Sequence, residues 1–113
     1  MVSDEEGRTN RIRDLNDTMR KHGIGGQIML TVGVRELGNR TVDRIVEAVR
    51  NFDNFTGDND PYGEHDYGSV VVDGNKVLWK VDYYDRDLQY GSPDPSDPAA
   101  TKRILTIMLV SEY

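Results

Sequence analysis

Five residues able to ligate, transfer protons or carry charge crowd the eleven-residue stretch "DNDPYGEHDYG" at positions 58–68: Asp58, Asp60, Glu64, His65 and Asp66. Three kinds of chemistry suit them. A hard divalent cation takes several carboxylate oxygens, and His65 adds a nitrogen for a transition metal; Asp58, Asp60, Glu64, His65, Asp66 and Asp85 are the candidate ligands. The EF-hand pattern fails, however. With Asp58 in first position, Asp60 and Gly63 fit, but Tyr62 replaces a ligand and Ser69 replaces the closing glutamate. No zinc signature exists either, since there is no cysteine and the other histidine, His22, sits far away in sequence. His65 next to Asp66 suggests a general base. Adjacent residues on an extended chain face opposite sides, though, and no nucleophile elbow or triad pattern is present, so no catalytic residue is assigned. The third chemistry is recognition. Asp58, Asp60, Tyr62, Glu64, His65, Asp66, Tyr84, Asp85, Asp87 and Tyr90 mix carboxylates with aromatic rings, the composition of a contact surface for an Arg-rich partner. Set against all three is the plain reading that Asp, Asn, Gly and Pro make turns here.

Charge distribution sharpens the third reading. Residues 53–97 carry eleven acids and three bases, a net of −8, while the rest of the 113-residue chain is at +2. Such a block repels phosphate backbones, so direct nucleic-acid binding is not expected. It attracts a basic protein surface or divalent cations. The apolar runs are too short to span a bilayer, the N-terminus lacks the pattern of a signal peptide, and the absence of cysteine suits a reducing cytoplasm.

The elements that must position these residues follow from periodicity. Ser3 with Glu6 forms a capping box, and Ile12, Leu15 and Met19 recur at helical spacing up to His22-Gly23. Residues 1–8 form a segment liable to fray, because Gly7 weakens the first turn. "QIMLTVGV" (27–34) reads as a strand, with Met29 in the core. Thr41 caps a second helix whose stripe is Val42, Ile45, Val46 and Val49, extended by Phe52. "GSVVVDGNKVLWKVDYYD" is a hairpin with Trp79 in the core. A Gly74-Asn75 loop sets Val72 against Val77, Val71 against Leu78 and Glu64 against Asp85, so both acidic stretches converge at the hairpin's open end. "YGSPDPSDP" (90–98) is a Pro-rich ordered loop, and Asp97-Pro98 starts a last helix over residues 99–111, with Ile104 and Met108 inward. The β-branched "ILTIMLV" makes a strand its rival. The expected architecture is α+β, one domain over residues 1–113 in the order α-β-α-β-β-α, an antiparallel sheet with helices packed on it.

At "FDNFTGDNDPYGEHDYG", "WKVDYYDRDLQYGSPDPSDP" and "TKRILTIMLVSEY" the sequence closely resembles an uncharacterised family of small bacterial proteins encoded on plasmids and phages, the domain of unknown function 3768. The resemblance runs from "IRDLND" (12–17) to Tyr113. It implies no activity, cofactor or catalytic residue. It implies a setting, that of an accessory protein of mobile DNA. The expected function is therefore protein–protein binding without a cofactor, in its concrete form counter-defence inhibition of restriction or CRISPR machinery by charge mimicry. A divalent-metal protein or metal-dependent hydrolase built on the 58–66 and 82–87 acids is the alternative.

Overall fold

Acidic residues open the first helix and basic residues close it. Asp4, Glu5 and Glu6 occupy the first turn of α1 (Asp4–His22), and Arg20, Lys21 and His22 the last, each sign where the helix dipole favours it. The computed structural model describes residues 4–113, so the capping box at Ser3 lies outside the described residues. The helix ends at His22 as expected: Gly23 takes a φ of +70°, and its amide bonds the Met19 carbonyl at 2.7 Å.

The first strand, β1 (Gln27–Leu30), is shorter than the 27–34 run expected. Thr31 stops it, because its hydroxyl accepts the Val34 amide and caps a single helical turn, α2 (Val32–Arg35). Glu112 braces the same turn from the C-terminus, accepting from the Thr31 hydroxyl at 2.6 Å and the Gly33 amide at 3.2 Å. Met29, expected in the core, is 50% exposed, because it points away from the helices on a short edge strand. The next helix, α3 (Asn39–Arg50), starts two residues before Thr41, which spends its hydroxyl on Asp73 instead.

The hairpin forms, but with the other loop. Between β2 (Tyr67–Val72) and β3 (Asn75–Tyr84) the turn is Asp73-Gly74, not Gly74-Asn75. Both residues have positive φ, +50° and +78°, as a two-residue hairpin turn of this hand requires. Asn75 locks it by donating to the Val72 and Asp73 carbonyls. Val71 consequently faces Lys76, and Gly68 faces Trp79. Every side chain keeps its face in this shifted register, and the indole gains the space above Gly68, where a Cβ would stand 2.6 Å from Trp79 Nε1.

The expected last helix is a strand, β4 (Lys102–Leu109), followed by a 3-10 turn at Val110–Glu112. Asp97 does cap, accepting the Ala99 amide at 2.9 Å, but it closes only a turn. Alternation then decides: Arg103, Leu105 and Ile107 are buried on one face, a period of two. The sheet order is β1-β4-β3-β2, with β1 parallel to β4 and the other pairs antiparallel, so it is mixed rather than purely antiparallel. The class is α+β. Helices pack one sheet face, bringing Met19, Ile45 and Val49 against Val77, Trp79, Val81, Leu105 and Ile107. The other face carries Met29, Leu78, Lys80, Ile104, Thr106 and Met108.

Candidate binding surface and its polar anchor

The stripe that α1 buries is not purely apolar. Ile12, Asn16, Met19 and Arg20 are buried, while Leu15, taken as part of the stripe from sequence, is only half-buried. Asn16 and Arg20 are one helical turn apart, so both reach the sheet side. Asn16 is the hub. Its carbonyl oxygen accepts from Arg103 Nε at 2.6 Å, and its amide nitrogen donates to the Glu64 carbonyl at 2.9 Å and the Tyr83 hydroxyl at 2.8 Å. The Tyr83 hydroxyl in turn donates to the Glu64 carboxylate at 2.8 Å. Arg103 also donates to the Pro95 carbonyl and lies over the Tyr83 ring. Burial, with Glu64 alongside, drives the Tyr83 hydroxyl far above its ordinary pKa, so it remains a donor. Burial lowers the pKa of Arg103.

A second set of contacts seats His65. Its backbone has a φ of +53°, uncommon for a residue with a side chain. The ring stacks on Phe55 at 3.7 Å and 3°, with Nδ1 2.8 Å from an Asp17 oxygen and Nε2 3.6 Å from an Asp60 oxygen. Asp17 also accepts from Arg20, whose guanidinium lies over Phe55 and Trp79 and donates to the Phe52 carbonyl. Asp60, only 6% exposed at its side chain, accepts the His65 amide. Both ring nitrogens of His65 face carboxylates and one ring face is covered, which makes the imidazole a latch between loop and helix.

The expected recognition residues therefore divide. Asp60, Glu64 and His65 are tied into α1 and the sheet. Asp66 bonds Val81 through its carbonyl, and its half-buried carboxyl has a raised pKa, first from burial and then from Glu64. Asp58 is exposed at the tip of a turn made by Thr56 and Asn59, as the turn reading expected, and Tyr62 is 77% exposed. The expected convergence with the second acidic stretch forms only in part: Asp66 lies among Asp60, Glu64 and Asp82, but the register sets Glu64 against Tyr83 and not Asp85. Residues 85–90 instead fold back on themselves, with the Asp85 amide on the Tyr90 carbonyl and the Asp85 carboxylate on the Gln89 amide. Leu88 and Tyr84 line a hollow on the outer sheet face with Met29, Ile104 and Thr106. Asp87 and Tyr90 stay in solvent, Tyr90 74% exposed.

Among the described residues, no group of three or more His, Asp or Glu side chains is gathered closely enough to hold a metal ion. The alternative metal set of Asp58, Asp60, Glu64, His65, Asp66 and Asp85 is thus spread between turn tip, latch and a separate turn. Sequence reasoning missed Asn16, Arg20 and Arg103. The signal lay in spacing: Asn16 and Arg20 share the α1 face of Ile12 and Met19, and Arg103 alternates with Leu105 and Ile107 once residues 102–109 are a strand.

No curated protein and no solved structure gives a significant match. A family model does match, over residues 30–112, covering every element but α1 and β1's first three residues. The chain belongs to that family, described as protein of unknown function DUF3768.

Proposed function

We propose that this protein acts by binding another protein, as an accessory of mobile DNA, and that its partner presents a basic surface which otherwise handles nucleic acid. The observation that carries the reading is the exposure of Tyr62 and Tyr90 on two loops beside Asp58 and Asp87, carboxylates with no cation within ion-pair distance among the described residues. Large, stiff, amphipathic rings next to free anions suit docking onto arginine and lysine. Exposed carboxylates then compete with nucleic acid for the same groove. Inhibition of a restriction or CRISPR complex is the concrete form. The resemblance to proteins of plasmids and phages supports that setting. The surface is narrower than one continuous acidic face, since Asp60 and Glu64 serve the fold and Asp73, Asp82 and Asp94 pair with Arg44, Lys80 and Arg8.

Affinity capture from a bacterial lysate at low and high salt tests this. The expected result is recovery of a nucleic-acid-handling protein at low salt, diminished at high salt and lost with Tyr62→Ala/Tyr90→Ala. Recovery that ignores both salt and the tyrosines would overturn it.

A further inference from the structure

The two edges of the sheet differ. β1 offers four residues before α2 interrupts it. β2 offers six, Tyr67–Val72, reading "YGSVVV". Edge strands are ordinarily guarded by charges, prolines or bulges, and this one has none of them within the strand. Its hydrogen-bonding phase is fixed. The Val81 amide bonds the Asp66 carbonyl, so Asp66, Gly68, Val70 and Val72 turn their backbone groups toward β3. Tyr67, Ser69 and Val71 turn theirs outward, and among the described residues no partner takes those amides. The same three residues are the exposed ones in the strand's alternation, with Val71 70% exposed.

The ends of β2 carry opposite charge. At the Tyr67 end, Asp66 lies among Glu64, Asp60 and Asp82, with Lys80 as the nearby base. At the Val72 end, Asp73 is bonded by Arg44, with Arg40 close and Lys76 exposed across from Val71. One end is net negative and the other net positive. A strand laid antiparallel on its own copy sets each end against its opposite, whereas a parallel copy sets like on like.

We propose that a second copy of this chain docks on the free edge of β2 by two-fold antiparallel pairing centred on Ser69. That register faces Ser69 with its own copy and Tyr67 with Val71 of the other, so all three outward-turned residues find hydrogen-bonding partners. A shift of two residues in either direction strands one of the three or requires Asp73, which is committed to the turn at a φ of +50°. The exposed Val71 gains an aromatic neighbour, a favourable cross-strand pair. Two four-stranded sheets become one of eight strands, within the usual range. The strand itself brings no charge to the contact, so pairing there avoids the repulsion that the chain's net −6 imposes elsewhere.

Sedimentation across a concentration series from micromolar to submillimolar tests the pairing. The wild type is expected to approach twice the 12.8 kDa chain mass. Ser69→Pro removes an outward amide, which an edge strand tolerates, and Val71→Lys adds a charge at an exposed site. Both are expected to sediment as monomers with an unchanged far-UV circular dichroism spectrum. Because the chain has no cysteine, the S69C and V71C chains each carry a single thiol. Across the proposed axis the two copies of position 69 lie about 5.5 Å apart between Cα atoms, within disulfide reach. The two copies of position 71 lie roughly 14 Å apart, beyond it. Oxidation is expected to cross-link S69C and not V71C. A dimer indifferent to both edge variants, or equal cross-linking at 69 and 71, would overturn the pairing. So would a chain that stays monomeric throughout, which leaves the edge to a strand from some other protein.

Discussion

Residues 58–66 and 85–90 are alike in composition, both dense in acids with an exposed tyrosine, yet the fold uses them differently. The first stretch crosses to α1: the His65 ring bonds Asp17 with Asp60 on its other side, the Glu64 carbonyl accepts from Asn16, and the Glu64 carboxylate accepts from Tyr83 of β3. The second closes on itself through Asp85, Gln89 and Tyr90 and, among the described residues, makes no hydrogen bond to α1. The difference lies in what faces each segment. Residues 58–66 lie under a helix that presents Asn16, Asp17 and Arg20 one turn apart. Residues 85–90 lie over a sheet face that presents Met29, Ile104 and Thr106 to Tyr84 and Leu88, and the Asp85 carboxylate bonds within its own loop at the Gln89 amide. The same residue type becomes a strut in one place and a free charge in the other.

If that contrast is right, removing the helix-side anchor should be costly. Arg103→Ala leaves Asn16 and the Pro95 carbonyl without a donor in a buried site, so unfolding stability is expected to fall by about 3–5 kcal/mol in urea titrations. A loss under about 1 kcal/mol would mean that the network is slack. Gly68→Ala comes next. It sets a Cβ against the fully buried Trp79 where residues 58–66 enter β2, and about 1–3 kcal/mol of strain is expected. The tryptophan fluorescence reports the same strain, since its emission should shift red as the buried indole is displaced.

Much of this arrangement could be read in advance, and the failures have physical causes. The end of α1 at His22, the α3 stripe and the core position of Trp79 follow from period and capping chemistry. The last element was misread because Asp97-Pro98 is a good helix start, and here it serves a two-residue turn before a β-branched strand takes over. The hairpin loop differs because matching apolar pairs was weighed above the demand for two positive-φ residues, which Asp73-Gly74 meets with its glycine in the second position. That two-residue shift pairs Glu64 with Tyr83 and leaves Asp85 outside the group formed by Asp60, Glu64, Asp66 and Asp82. Long-range partners such as Asn16 with Glu64 and Arg103 leave no local pattern, so they were out of reach of periodicity.

A smaller effect concerns Asp66, the acid at the border between strut and free charge. Burial and the neighbouring Glu64 raise its folded-state pKa above the unfolded value. The fold therefore holds its proton more tightly, and stability falls as pH rises through the window between the two values. Asp66→Asn is expected to raise stability at neutral pH and to flatten that slope, while Asp73, whose pKa Thr41 and Arg44 lower, contributes stability that is lost as pH falls through its folded value. A thermal-melt series across pH reads both signs, and a destabilised Asp66→Asn chain at neutral pH would contradict the assignment.

The central claim is that the acids of residues 58–66 are divided between holding the fold and meeting a partner. It is tested most directly by one paired measurement, unfolding stability and low-salt partner capture on two matched double variants. Asp60→Asn/Glu64→Gln should lose about 1–3 kcal/mol of stability yet capture normally per folded molecule, whereas Asp58→Asn/Tyr62→Ala should stay within about 0.5 kcal/mol of wild type and lose capture. Loss of capture by the first pair while folded, or unfolding of the second, would contradict the division.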